Sequence, residues 1–160
     1  MTITAGGTNT TPATANRRPG WRLGLLAALL VAAIALPFIF LGEGPSWFHL
    51  VFHLLGIALC TAAVLTLRSI RRNAASKTLR VMTWVSTVAF FAWFVGHAGE
   101  LATVVTHGGA HADHTLFEHP VHIFFATIAV PSWMLSVFSS LVLLITAGVQ
   151  AILRKVSGRP

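Results

Sequence analysis

Four long stretches in which almost every position is apolar, separated by short polar breaks, dominate the chain. They run over about residues 22–41, 47–67, 79–101 and 120–150. Each supplies the roughly 20 residues that carry an α-helix across a hydrocarbon core about 30 Å thick, and a helix satisfies its backbone hydrogen bonds without water. The pattern predicts an all-α integral membrane four-helix bundle, up-down-up-down. The last stretch keeps its apolar character as far as Leu153, longer than a span requires, so tilt or projection beyond the bilayer is expected. Pro131 within it removes one ladder bond and predicts a bend.

The flanking segments differ in kind. Residues 1–20 are rich in Thr, Ala, Gly, Asn and Pro and read as a disordered tail, because such a composition cannot bury enough surface to offset the entropy of ordering. Residues 21–153 form the four-span domain and residues 154–160 a basic tail. Arg17, Arg18 and Arg22 ahead of the first stretch, with Ala33 and Ala35 in an A-x-A arrangement, imitate a secretory signal. Apolar sequence continues past that point through Leu41, which favours an uncleaved span.

Composition agrees with lipid as the solvent: 55% of residues are hydrophobic and 9% charged, too apolar for a water-soluble globule. The 11 cations outnumber the 4 acids, yet they do not form a nucleic-acid surface. They fall at three places: Arg17, Arg18 and Arg22 before the first span; Arg68, Arg71, Arg72, Lys77 and Arg80 in the link between the second and third; and Arg154, Lys155 and Arg159 after the fourth. By the positive-inside rule that side is cytoplasmic, so both termini are expected inside. Glu43, Glu100, Asp113 and Glu118 all fall on the other side. Cys60 is the one cysteine and lies in an apolar run, which excludes a disulfide and a cysteine-based zinc site.

All eight histidines join the acids on the outer side. His49 and His53, four apart, share a helical face about 6 Å from one another. Gly56 and Cys60 continue that face, which is expected to turn inward. His97 and Glu100 share a face that runs back through Trp93, Phe90 and Ser86. His122 opens the fourth span and is followed at helical spacing by Ala126, Ala129, Trp133, Ser136 and Ser140. Three helices thus bring imidazole to a similar level. His53 lies about 9 Å below the start of its helix, a costly depth for an ionisable group without a partner.

Imidazole suits Zn, Cu, Fe and Ni, and a site of four or five ligands can be drawn from His49, His53, His97, His122 and one of Glu100 or Glu118. The outer loop, about residues 102–119, begins a tract reading HGGAHADHTLFEHPVH from His107 to His122; its His111 and His114 point to metal capture. A pH-sensing loop is the other reading of that tract, since histidine titrates near neutrality. Two starts compete for the fourth helix: a T-x-x-E capping box from Thr115 to Glu118, and Pro120 at the first helical position. Only the first places Glu118 and His122 on one face.

Three functions follow: handling of a transition metal, Zn or Cu; a b-type haem protein that ligates iron through His53 with His97 or His122; and a non-catalytic interaction subunit, whether as a homo-oligomer or in a larger membrane complex. No catalytic residue is assigned. The spacings H-x-x-x-H at His49 and His53, and H-x-x-H at His111 with His114 and at His119 with His122, resemble fragments of the His boxes of membrane hydroxylases. The paired H-x-x-H-H boxes of those enzymes are absent, and nothing further is carried over from them. Alanine-rich helices and arginine in excess of lysine fit the cytoplasmic membrane of a bacterium.

Overall fold

A computed structural model describes residues 20–40, 47–74, 76–107 and 118–158. The chain forms α1 (Gly20–Phe40), α2 (Trp47–Arg72), α3 (Lys77–Thr106) and α4 (Pro120–Val156). All four helices are long and apolar enough to cross a membrane. Their outer faces carry exposed Val31, Phe38, Leu65, Phe91, Phe138 and Ile152, side chains that suit contact with lipid.

Every helix but α1 overruns its expected end. The cations expected in a link mostly lie on helix instead: Arg68, Arg71 and Arg72 belong to α2, Lys77 and Arg80 to α3, and Arg154 and Lys155 to the last turn of α4. Arginine and lysine are good helix formers and their long stems reach water from the helix surface, so nothing requires the helix to stop where the apolar run does. Ser76 accepts a hydrogen bond from Leu79 N at 3.2 Å and so starts α3 two residues early. At 30 and 37 residues, α3 and α4 are about 45 and 55 Å long, well beyond a hydrocarbon core of about 30 Å. α4 runs unbroken through Pro131.

The main core cluster draws on all four helices, with Leu26 and Ala33 of α1, Cys60, Ala63 and Leu67 of α2, Phe90 and Trp93 of α3, and Ala129 and Leu143 of α4. Each inward stripe follows the helical repeat; on α2 it is His53, Gly56, Cys60, Ala63 and Leu67. Thr66, Thr83 and Ser136, also buried, turn their hydroxyls onto carbonyls of their own helices.

α1 packs on α2 and on α4, α2 on α3, and α3 on α4. One proline explains a bond between α1 and α4. Pro37 lies inside α1 and has no N–H to give the carbonyl four residues earlier, that of Ala33. Trp133 of α4 donates its indole Nε1–H to that carbonyl at 2.8 Å, so a backbone acceptor otherwise stranded in an apolar core is served from another helix. At one end of the molecule Phe40 of α1 packs on Phe48 and Phe52 of α2. Near the other, Arg22 Nη1 reaches Ser69 O at 3.4 Å and Ser76 Oγ reaches Gln150 Oε1 at 3.2 Å.

Candidate metal centre

The start of α2, the end of α3 and the start of α4 meet at one end of the bundle, and glycines set how closely they do so. A Cβ on Gly96 of α3 would lie 2.7 Å from Ala129 Cβ of α4, and one on Gly99 would enter the ring of Phe125. Without those side chains α4 settles close against α3. That approach brings His122 onto Glu100.

His49, His53, Glu100 and His122 each direct one ligand atom into a common space, with those atoms all within 4.8 Å of one another. His53 Nε2 lies 3.1 Å from His49 Nε2 and 3.4 Å from Glu100 Oε2, and His122 Nε2 lies 3.5 Å from the same carboxylate oxygen. Four donors placed about 2.05 Å from a tetrahedral ion stand about 3.3 Å apart. The three measured separations match that edge, so the residues fit a metal ion in the chemistry of their donors and in their spacing. The remaining pairs lie within 4.8 Å.

His53 is 0% exposed, Glu100 6% and His122 7%, while His49 at the rim is half-buried. Burying an unpaired carboxylate is costly, and a divalent cation, with its two positive charges against one negative, offsets that cost directly. The donor set is three imidazoles and one carboxylate, with no thiolate or thioether. Such a set suits a borderline divalent ion and not the soft Cu(I).

His97 stands behind the centre. Its Nδ1 is 3.0 Å from His53 Nδ1, on the side of the His53 ring away from the other three ligands. A histidine that binds a metal through Nε2 carries its proton on Nδ1 and donates it to an acceptor, which fixes both tautomer and ring orientation. His97 Nδ1 stands at the position such an acceptor would take. Its ring sits against Phe52 and Trp93, with centroids 5.1 Å from each, and occupies the space that a side chain at Gly56 would fill. His97 is not among the four residues whose ligand atoms converge; it lies against the far side of His53.

Of the other expected ligands, only Glu118 is among the described residues. Glu118 is exposed and precedes α4, which starts at Pro120 with His119 as its N-cap; His119 Nδ1 accepts from Val121 N at 3.3 Å. Proline at the first helical position prevails over the T-x-x-E box because its missing N–H is one that a helix start leaves unbonded anyway. Glu118 and His122 consequently do not share a helical face, and the carboxylate of the cluster is Glu100. His111, His114, Glu43, Asp113 and Thr115 lie outside the described residues. Cys60 is fully buried in the apolar core, away from the cluster. His107 caps the end of α3, and its ring lies 4.3 Å, centroid to centroid, from that of His119.

Compared with known proteins, the chain matches no family, no curated protein and no solved structure. The site chemistry rests on its own geometry. The four helices and the His/Glu cluster define the class: a multi-pass membrane protein with a group of residues able to hold a metal ion.

Proposed function

We propose that this protein binds a transition metal, Zn or Cu(II), at an outward-facing centre made by His49, His53, Glu100 and His122, with His97 orienting His53. One observation carries the reading: four ligand atoms from three helices converge at metal-ligand spacing, and three of the four residues are buried. Orientation follows from charge. The cations of α2, α3 and α4 gather at the end of the bundle opposite the cluster, as an up-down-up-down arrangement with both termini cytoplasmic requires. The His-rich tract that includes His111 and His114 then faces the same outer compartment as the centre and collects the ion from it.

The haem alternative has less support. Two nitrogens on opposite faces of one iron stand about 4 Å apart with the macrocycle between them. His53 and His97 instead hydrogen-bond directly at 3.0 Å. His53 and His122 both converge on Glu100, which suits a small ion better than a porphyrin.

The test is elemental analysis and a visible spectrum of detergent-purified protein. Stoichiometric Zn or Cu in the wild type, lost in His53→Ala, with no Soret band, is the expected result. A Soret band with iron would move the assignment to haem. Absence of bound metal after reconstitution with Zn and Cu would leave an interaction subunit.

A further inference from the structure

Above the buried cluster, His107 at the end of α3 and His119 at the start of α4 bring their rings within 4.3 Å, centroid to centroid, in the wall of a groove. Glu100 and His107 are seven residues apart on one helix, a rise of about 10 Å. The groove is a cavity of about 260 Å³ lined by Gly99, Thr103, Thr106, His107, His119 and Phe125, among others. Gly99 and Val121, both in its wall, are the chain neighbours of Glu100 and His122. The cavity thus starts at the two outer imidazoles and ends at wall residues one position from Glu100 and His122 in the chain, with none of the four cluster residues in its lining.

The outer rings are set up for weak coordination. His107 Nδ1 lies 2.8 Å from Thr103 O, an acceptor only, so it carries the proton and donates it. That leaves Nε2 of His107 with a lone pair. His119 Nδ1 accepts from Val121 N at 3.3 Å, a long bond; coordination through Nε2 moves the ring proton to Nδ1 and gives that bond up. Two imidazoles on one tetrahedral ion have ring centres about 5 Å apart, against 4.3 Å here, so a small outward swing admits an ion. Two protein ligands, one of which sacrifices a cap bond, make a site that fills and empties readily.

We propose that His107 and His119 form a loading site that takes a divalent ion from the outer compartment and passes it along the α3–α4 groove to the buried cluster. This inference rests on the metal reading of that cluster, and its test separates the two. The full chain, stripped of metal in detergent, is titrated with Zn(II) for stoichiometry and affinity, and loading and release are followed by stopped flow against a fluorescent chelator. His107→Gln with His119→Asn removes both imidazoles, while Asn keeps the capping function at the start of α4; His111 and His114 stay in place. Wild type is expected to show one tight and one weak class of site. The double variant loses the weak class, keeps the tight affinity within about twofold, and loads and releases the tight site at least tenfold more slowly. Equal slowing in both directions is the mark of a removed relay, because a catalysed path lowers one barrier for both. Unchanged rates beside a tight class that His53→Ala abolishes would overturn the relay alone. A wild type with no tight class would overturn the buried centre, and the relay with it.

Discussion

Substituting Gly56 by alanine gives the sharpest test of how the centre is held. A Cβ at that position would lie 2.6 Å from His97 Cε1 and nearer still to Nε2 and Cδ2 of the same ring. The obstacle is a rigid imidazole, itself bounded by Phe52 and Trp93 and 1% exposed, so it has nowhere to retreat except along the His53 contact. Overpacking of this kind costs about 1–3 kcal/mol of fold stability. The functional cost is separate: displacing His97 breaks the Nδ1···Nδ1 bond that aims His53 Nε2 at the other ligands. Loss of such an outer-shell partner typically weakens metal binding about 10- to 100-fold, equivalent to about 1.4–2.8 kcal/mol. The assay is competition against a chelator of known affinity, with thermal unfolding measured on the same samples. Gly148→Ala is the control, since a Cβ there meets nothing within 4 Å. Adding His97→Ala to Gly56→Ala relieves the clash and is expected to recover stability without recovering affinity. If Gly56→Ala binds metal as tightly as wild type, or if the double variant regains full affinity, the positioning role of His97 is refuted.

Other expectations are more direct. Glu100→Gln keeps the shape of the side chain but removes the one charge in the cluster, and should lower Zn affinity by at least the 100-fold upper range of an outer-shell change; a smaller loss would mean the carboxylate is not a ligand. Cys60, fully buried, should resist maleimide in the folded protein and react once detergent and denaturant unfold it. Trp133→Phe removes the donor that serves Ala33 O and should destabilise the fold by about 1 kcal/mol, read as a lowered unfolding midpoint.

Much of this was readable from spacing. Four apolar stretches correspond to four helices, and the inward faces of α2, α3 and α4 follow from residues three and four apart: His53 with Gly56 and Cys60, Glu100 with His97 and Trp93, His122 with Ala129 and Ser136. What periodicity does not carry is which side of a ring faces what. His97 shares a face with Glu100, yet it approaches His53 from behind, a fact set by packing against Gly56 that one helix cannot reveal. The choice between Glu100 and Glu118 turned on a local contest at the start of α4, decided by Pro120. Helices run up to six residues past the ends of the apolar stretches, as where α4 reaches Val156, because the edge of an apolar run marks where lipid stops, not where a helix must. Gly96 and Gly99 gave no signal alone; their role exists only against Ala129 and Phe125.

The bond from Trp133 to the Ala33 carbonyl bears on how the protein is made. Helices enter the bilayer in the order of synthesis, so α1 arrives with a backbone acceptor that Pro37 has left vacant and that lipid cannot serve. Relief waits for α4, made after the other three, which also brings His122. A ribosome-bound intermediate with three helices inserted therefore has an unsettled first helix and an incomplete ligand set at once, and a single late event cures both. Completion of the fold and assembly of the His/Glu cluster share one step.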